Sequence, residues 1–406
     1  MRPALDGADQ SLAASNEALA RGYDAVPYAP KSLDIVSIAR VRTVAALFGC
    51  AERVADVLDL GCGRGAQLAL AASETEGRLF GVDLSKSACE AARERLAPFA
   101  DRAEVIRGDL LALTPDRLGR FDLIYCLGVI SFVPPAVRAK MITLIGACLK
   151  PGGVAVLSYY SGAMPLMRAS LGRVLTAATS GEAQLEARVR QARSLLAQLK
   201  SSLEQNAAAH PLQLAAVANA SVLDDVMFFH EMLNGESTSL EASDLEQRFS
   251  AEGMGFIGHH QRLPFMGLPT SKDRAYAADV AAFTAGGYRY AIFGKGEAAR
   301  GGADPRRPGL LWSTALRRRS PDAGLPPGPV VYEEAESGLS ATIDLPVIQA
   351  LVEAIAVQPL TWSEAHASAR QRVLGATGKP AMASEAQIAK DLVTLWASGA
   401  VHATLA

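Results

Sequence analysis

A glycine-rich turn between two apolar runs is the segment of this chain best suited to ligand chemistry. The apolar run Val57–Leu60 leads into the turn Gly61–Gly65, and Asp83 ends the next apolar run. A buried strand, a glycine turn and a helix let a ligand approach the backbone closely. An acid about 20 residues further on can accept hydrogen bonds from ribose hydroxyls. The spacing therefore predicts a nucleoside cofactor.

Acidic residues indicate which nucleoside this is, because Gly61-x-Gly63-x-x-Ala66 also satisfies the dinucleotide fingerprint. Asp59 precedes the first glycine, where a carboxylate would repel a pyrophosphate but could hold an ammonium group. Asp109 ends a third predicted strand and could accept a hydrogen bond from an exocyclic amine such as that of adenine. Acids at three successive strand ends favour a cationic amino-acid nucleoside over a diphosphate.

Strand and helix patterns alternate around these acids as far as Tyr160. The segment Phe121–Cys126 predicts a fourth strand and Val154–Ser158 a fifth, after a break at Pro151-Gly152-Gly153. Such alternation predicts a parallel sheet with helices on both faces. Together, the motifs resemble class I S-adenosylmethionine-dependent methyltransferases, whose sheet has seven strands. Residues 256–260 and 288–293 would supply strand six and an antiparallel strand seven.

The resemblance implies a role for each cofactor motif. It assigns Asp59 and the turn to the methionine end of the cofactor, Asp83 to the ribose, and Asp109 with Leu110 to the adenine. Other cofactor contacts are implied for Gly61, Cys62, Gly63, Gly65, Leu84 and Leu127. Tyr23 and Tyr28 are expected to fold over the cofactor.

The predicted architecture is α/β, a Rossmann-like seven-stranded sheet with a helical insertion and a small C-terminal domain. Residues 20–162 and 237–296 form the predicted core. Residues 163–236, rich in alanine, leucine and arginine, predict a helical lid or acceptor-recognition insertion. Residues 297–329, rich in glycine, proline and arginine, predict a linker.

Residues 330–406 predict a winged-helix-like α+β domain. Its expected helices begin after the N-cap residues Asp344, Thr361 and Ser384. Its last helix carries mixed charges rather than a basic recognition face. The pattern therefore favours interaction or homodimerisation over DNA reading.

A narrower resemblance concerns the ends of this arrangement. Tyr23-x-x-x-Pro27-Tyr28, the segment Met227–Leu233 and the C-terminal domain are similar to bacterial methyltransferases with a regulatory domain. That group includes enzymes that methylate lysines of outer-membrane proteins. Ser158-Tyr159-Tyr160 departs from the group's usual residues on the acceptor side, so the acceptor stays open.

The candidate catalytic residues are His230, Tyr159 and Tyr160. Methyl transfer requires a neutral nucleophile aligned with a sulfonium methyl group, and a lysine acceptor must first lose a proton. The pair His230-Glu231 is the best base candidate, because an oriented histidine titrates near neutrality; the alternative is a packed histidine. The acceptor is predicted to be a protein or peptide side chain such as lysine. The alternatives are a small-molecule O- or N-methyltransferase and a non-catalytic cofactor-binding module.

Composition narrows the remaining classes of function. The 406 residues exceed what one core usually supports, and the net charge of −2 gives no field that would attract nucleic acid. The five cysteines are odd in number and lack CxxC spacing, which predicts free thiols and no metal site. No signal peptide or membrane-spanning run is recognisable, so a cytoplasmic protein without membrane insertion is expected.

Overall fold

The computed structural model describes residues 16–29, 32–234, 237–259, 268, 270–320, 324–325 and 328–405. The strands are β1 (Val57–Leu60), β2 (Leu79–Asp83), β3 (Ala103–Arg107), β4 (Phe121–Cys126), β5 (Leu149–Ser161), β6 (Met254–His259), β7 (Gly287–Lys295), β8 (Leu310–Ser313), β9 (Arg317–Arg318), β10 (Val330–Glu333), β11 (Ser340–Ile343), β12 (Leu360–Thr361) and β13 (His402–Leu405).

Helices lie between most of these strands. They are α1 (16–25), α2 (Ile38–Ala46), α3 (Ala66–Ala72), α4 (Lys86–Arg95), α5 (Pro115–Leu118), α6 (Pro135–Cys148), α7 (Ala163–Ala178), α8 (Leu185–Glu204), α9 (Pro211–Ser221), α10 (Asp225–Phe228), α11 (Ala242–Ala251), α12 (Ser271–Ala285), α13 (Glu297–Arg300), α14 (Pro346–Ile355), α15 (Trp362–Thr377) and α16 (Glu385–Ala397).

The central sheet has seven strands in the order β3-β2-β1-β4-β5-β7-β6, which confirms the predicted sheet. Neighbouring strands from β3 to β5 pair in parallel, and β7 runs antiparallel to both β5 and β6. The strand order reverses between β1 and β4. In such sheets, ligands bind in the crevice beyond the carboxyl ends of the strands at this reversal.

Apolar side chains cover both faces of the sheet. Leu58, Phe80 and Ile124 belong to the core on one face, and Val57, Leu79 and Leu123 belong to the core on the other. A strand buried on both faces is apolar at successive positions, which explains the uninterrupted runs in the sequence. The carboxyl edge of the sheet thus stands on a rigid, doubly covered scaffold.

The helices α7 to α10 form an insertion between β5 and α11. A separate apolar core includes Leu175, Val189, Leu196, Val217 and Phe228. Helix α10 continues into a π-helical turn, Phe229–Leu233, in which the Asn234 N–H donates to the Phe229 carbonyl. Turns of this kind are rare and concentrate at functional sites.

The segment 297–329 differs from the predicted linker, because it contributes structure to the C-terminal part of the chain. Strand β8 lies in the centre of the sheet β12-β8-β13, and its Trp312 is fully buried. The Asp304 N–H donates to the Leu47 carbonyl, which ties this segment to the core. The four residues of β8 alternate between buried and half-buried positions. So short a pattern was not recognised in a segment rich in glycine, proline and arginine.

Two of the three predicted C-terminal N-caps are observed. Thr361 and Ser384 accept hydrogen bonds from the first turns of α15 and α16. Asp344 does not cap α14, whose N-cap is Leu345, because Pro346 already fixes the first helical position. A second small sheet, β11-β10-β9, precedes α14.

Several properties of the chain hold for the described residues alone. Their five cysteines are all buried and unbridged. They contain no cluster of three His, Cys, Asp or Glu side chains that could hold a metal ion. Among the helices that they form, none combines the length and apolarity needed to cross a membrane.

Candidate cofactor and acceptor site

The glycine turn after β1 owes its shape to backbone conformations that favour glycine. Gly61, Gly63 and Gly65 have φ angles of 82°, 52° and 72°, in the left-handed region. A Cβ atom on Gly61 would stand 2.3 Å from Cγ2 of Val129, so a side chain would also clash. At Gly63, a Cβ atom would meet nothing within 4 Å. The turn therefore combines an open backbone position at Gly63 with a closely packed one at Gly61.

Asp83 holds this turn in place from the end of β2. Its Oδ2 accepts a hydrogen bond of 2.8 Å from the Gly63 N–H, and its Oδ1 accepts one of 2.9 Å from the Ser85 N–H. Burial raises the pKa of the carboxyl, and these backbone donors oppose the rise. The side chain is thus fixed at the place where a ribose would meet it.

Asp59 is the most unusual acid of the site. Its side chain belongs to a residue only 3% exposed, and its Oδ1 has no hydrogen-bond partner among the described residues. Burial, followed by the charge of Asp83, raises its pKa to about 8. A buried carboxylate oxygen without a donor is costly unless a ligand supplies one. This oxygen therefore fits the ammonium group of an amino-acid nucleoside.

Asp109 stands at the adenine end implied by the sequence. Its Oδ1 accepts from the Leu111 N–H, and its Oδ2 accepts from the side-chain Nδ2 of Asn16, both at 2.9 Å. Leu84, Leu110 and Leu127 are all half-buried beside the ends of their strands. Because β1, β2 and β3 are adjacent and parallel, Asp59, Asp83 and Asp109 come to one edge of the sheet.

Cys62 contributes no reactive thiolate to the turn. Burial and the nearby charges of Asp59 and Asp83 raise the pKa of its thiol well above the usual value. The residue is buried, as expected for a small side chain packed within the turn.

The chain N-terminal to α2 forms a strap, residues 16–29, across this edge. Asp24 Oδ1 accepts hydrogen bonds from the Ser85 hydroxyl at 2.6 Å and from the Ser87 N–H at 3.0 Å. Together with the contact of Asn16 to Asp109, these bonds fasten α1 beside the predicted ribose and adenine sites. The strap thus lies beside the predicted cofactor residues Asp83 and Asp109.

We call the edge of the sheet that carries Asp59, Asp83 and Asp109 the cofactor edge. Tyr23 connects it with the insertion. Its ring stacks on that of His230, with centroids 4.6 Å apart. Burial raises the pKa of the Tyr23 hydroxyl, and the charges of Asp83, Tyr28 and Glu231 add to the rise. Tyr23 therefore lies within the electric fields of a cofactor-side acid and of an insertion-side acid. The hydroxyl of Tyr28 donates to Sδ of Met227 at 2.8 Å.

The contacts of His230 argue against the predicted role as a base. Its Nε2 donates to the Val26 carbonyl at 2.7 Å, and its Nδ1 lies 3.2 Å from the side-chain Nδ2 of Asn234. Both ring nitrogens are therefore engaged, and burial lowers the pKa of the ring. His230 fastens the strap to the insertion, which corresponds to the packed alternative.

Tyr159 does not reach the cleft, in contrast to its predicted role. It is fully buried in the core on the opposite face of the sheet, and its hydroxyl is hydrogen-bonded to His259 Nε2 at 2.7 Å. The alternation of side chains along β5 separates it from Ser158 and Tyr160. Burial lowers the pKa of His259 to about 3, so that ring stays neutral. His260 lies outside the described residues.

Tyr160 joins an acceptor cluster, which we define as Tyr160, Arg168, Glu231 and Tyr288. The Tyr160 hydroxyl donates to Glu231 Oε2 at 2.9 Å and accepts from Arg168 Nη1 at 3.2 Å. Arg168 Nη2 also lies 3.1 Å from Glu231 Oε2. The ring of Tyr160 contacts that of Tyr288 edge-on, with centroids 5.0 Å apart. A buried, paired carboxylate therefore stands among aromatic rings.

Hydrogen bonds link this cluster to the end of β4. The Gly128 N–H donates to the Ser158 hydroxyl at 2.7 Å, and that hydroxyl is bonded to the Tyr288 hydroxyl at 2.6 Å. Sequence reasoning missed Arg168 and Tyr288 and named Glu231 only as the neighbour of His230. Tyr288 and Tyr290, two residues apart in the predicted seventh strand, share one face of the sheet, which was a signal that tyrosines line that face.

Comparison with known proteins matches this cofactor edge. Residues 57–153 fit a protein-family model described as a methyltransferase domain. This part of the chain therefore resembles the domain of class I methyltransferases. Proteins of this class use S-adenosylmethionine as the methyl donor. The unpaired Oδ1 of Asp59 fits the ammonium group of that donor.

Relatives extend the similarity over part of the chain. The uncharacterized proteins RP028 and RP789 of Rickettsia prowazekii are each 31% identical, over 34% and 45% of this chain. The chain matches 56% and 34% of their own lengths. A carboxy-S-adenosyl-L-methionine synthase of Chromohalobacter salexigens is 38% identical over 26% of this chain and 39% of its own length.

A solved structure shares the fold over nearly the whole chain. PKMT2 from Rickettsia typhi in complex with AdoHcy superimposes with a TM-score of 0.64, over 93% of this chain and 77% of that chain. The two sequences are 19% identical, so the likeness is one of fold. The methyltransferase domain, the insertion and the C-terminal part therefore occur together in another protein.

Proposed function

We propose that this protein transfers the methyl group of S-adenosylmethionine to the side-chain amine of lysine in a protein or peptide. One observation carries the proposal: the strap joins Asp83, at the cofactor edge, to Glu231, in the acceptor cluster, because Asp24 bonds to Ser85 beside Asp83 and Tyr23 stacks on His230 beside Glu231. A methyl donor held by the first acid would therefore lie close to an acceptor held by the second.

The cofactor side of the proposal assigns one acid to each part of the donor. Asp59 would hold the ammonium group through its unpaired oxygen, Asp83 would accept from the ribose hydroxyls, and Asp109 would accept from the adenine amine. Asn16 occupies Oδ2 of Asp109, so adenine would replace or adjoin that contact.

The acceptor side must position the nucleophile and exclude water. The bound cofactor supplies an electrophilic methyl group on a sulfonium, and the residues of this chain align the nucleophile with it. Aromatic rings beside a carboxylate suit a lysine ammonium, which they attract through the ring faces and the negative charge. Tyr160 and Tyr288 provide such rings, and Glu231 provides the charge.

The shared fold supports a protein acceptor. The name of PKMT2 denotes a protein lysine methyltransferase, and its fold covers both the insertion and the C-terminal part of this chain. The match to the carboxy-S-adenosyl-L-methionine synthase covers only 26% of this chain.

Labelling would test the proposal directly. Purified protein is incubated with methyl-labelled S-adenosylmethionine and a fractionated bacterial lysate, and the labelled material is hydrolysed. We expect label in macromolecules, released as methylated lysine. Label only in small extractable compounds would contradict the proposal and favour a small-molecule methyltransferase. Cofactor binding without any labelling would favour a non-catalytic binding module.

A further inference from the structure

We propose that Glu231 binds the acceptor amine and takes up its proton, with Arg168 and Tyr160 as its positioning residues. This inference rests on the proposed function and names the residue that makes an amine reactive. It assigns to Glu231 the role of base that the sequence predicted for His230.

The two carboxylate oxygens of Glu231 differ in their hydrogen bonds. Oε2 of Glu231 receives both the Tyr160 hydroxyl and Arg168 Nη2. Oε1 accepts no hydrogen bond from any residue in the part of the chain that the structure describes. One oxygen is thus fixed by protein donors, and the other is left to accept a hydrogen bond from a ligand.

The local backbone fixes the direction of the Glu231 side chain. Glu231 lies in the π-helical turn Phe229–Leu233, next to His230, which is fastened to the strap through Val26. Anchoring of one residue fixes the direction of the next, because a packed helical turn leaves little rotational freedom. The turn thus directs Glu231 toward Tyr160, while the neighbouring His230 binds the strap.

The groups around the Glu231 carboxyl set its electrostatic environment. The charged or titratable groups that face it are Arg168 from α7, Tyr160 from β5, Tyr288 from β7, and Tyr23 and Tyr28 from the strap. Burial raises the pKa of Glu231, whereas Arg168 and Tyr160 lower it. The group is therefore a stronger base than an exposed glutamate, and its ionised form is still stabilised by a guanidinium.

Proton transfer to Glu231 precedes methyl transfer to the amine. The bound lysine ammonium gives one proton to Oε1 of Glu231, which later releases it to solvent. The neutral amine attacks the methyl carbon while the carbon–sulfur bond breaks, and that electron pair stays on sulfur. The product nitrogen then carries the positive charge that the sulfonium carried before.

The test compares Glu231→Gln and Glu231→Asp with the wild-type protein. Label transfer is measured to poly-L-lysine and to the lysate fraction that the wild-type protein labels. We expect Glu231→Gln to lower kcat roughly 100-fold at neutral pH, with the Kd for S-adenosylmethionine nearly unchanged. Because the free amine becomes available at high pH, its residual activity should recover toward about pH 9 to 10. Glu231→Asp should retain more activity than Glu231→Gln.

A matched control and three outcomes decide the inference. Glu186→Gln changes an exposed glutamate of the same insertion and should leave kcat unchanged. A wild-type kcat and pH profile in Glu231→Gln would overturn the role of Glu231 and leave the proposed function standing. A loss at every pH, with weakened cofactor binding and lower Tm, would indicate a structural role instead. No labelling by the wild-type protein would contradict the proposed function itself.

Discussion

At the residue scale, the candidate site contains two buried carboxylates, Glu231 and Asp59, whose hydrogen-bond partners distinguish them. Glu231 has an arginine and a tyrosine on one oxygen, so its charge is stabilised within the protein. Asp59 has an oxygen without a donor among the described residues, and the nearby Asp83 further disfavours its charge. Asp59 is therefore poised to gain a cationic partner from outside the chain.

Cofactor binding should release a proton from Asp59. Its folded-state pKa of about 8 exceeds the unfolded value, so its neutral form predominates at neutral pH in the ligand-free protein. The stability that it contributes is present below the unfolded pKa and is lost as pH rises through about 8. An ammonium group reverses this preference. Calorimetry in buffers of different ionisation enthalpy should detect release of up to about one proton per S-adenosylmethionine bound.

Variants make this prediction specific to Asp59. We expect Asp59→Asn to abolish most of the proton release and to weaken binding by roughly 10- to 100-fold, the effect of one hydrogen bond to a charged group. Asp101→Asn changes an exposed acid and should behave as wild type. Unchanged proton release in Asp59→Asn would assign the proton to another group, such as Asp83.

At the element scale, the strap and the π-helical turn depend on each other. The stacking of Tyr23 on His230 and the hydrogen bond from His230 to Val26 join elements that are about half the chain apart. A Cβ atom on Gly22 would stand 2.2 Å from Oδ1 of Asn234, so the strap also approaches the insertion closely. Release of this contact should therefore loosen the cover over the cofactor edge.

Limited proteolysis would measure that loosening. The Arg21 side chain is 71% exposed, but trypsin can cut after it only when α1 opens locally. We expect His230→Ala to speed this cleavage by about tenfold or more, corresponding to roughly 1.4 kcal/mol of lost local stability. Mass spectrometry would follow the fragment that begins at Gly22. His210→Ala, in the same insertion, is the matched control, and equal rates in the two variants would contradict the fastening role.

At the scale of the whole molecule, the C-terminal part shares a core with the methyltransferase sheet. Val57 and Val156 of the sheet belong to the same buried apolar cluster as Trp312 of β8. The backbone contact from Asp304 to Leu47 crosses the same boundary. The two parts should therefore unfold together rather than as independent domains.

Tryptophan fluorescence can test this coupling, because all three tryptophans, Trp312, Trp362 and Trp396, lie in the C-terminal part. S-adenosylmethionine at 100 times its Kd should stabilise the folded state by about 2.7 kcal/mol. We expect the urea midpoint reported by tryptophan fluorescence to rise in step with that reported by far-ultraviolet circular dichroism. A urea midpoint from tryptophan fluorescence that stays unchanged on addition of S-adenosylmethionine would show that the two parts unfold separately.

The arrangement of the candidate cofactor residues could be predicted from the sequence because it depends on local signals. Left-handed glycines, apolar runs and the acids Asp59, Asp83 and Asp109 all lie within one succession of strands and turns. Parallel pairing then brings the strand ends to the same edge without further information. The strand pattern also indicated that β6 and β7 would return to the sheet after the insertion.

Only the tertiary structure decided the acceptor half, because its contacts join distant parts of the chain. Tyr159 and Tyr160 are neighbours on a strand covered on both faces, so alternation separates them without showing which one enters the cleft. His230 and Glu231 are also neighbours, on one helical turn, and the sequence likewise does not show which of their side chains enters the cleft. In the structure, His230 binds Val26 of the strap, 204 residues away in sequence, and Glu231 binds Arg168, 63 residues away. The burial of such contacts is decided by long-range packing, which local residue spacing does not encode.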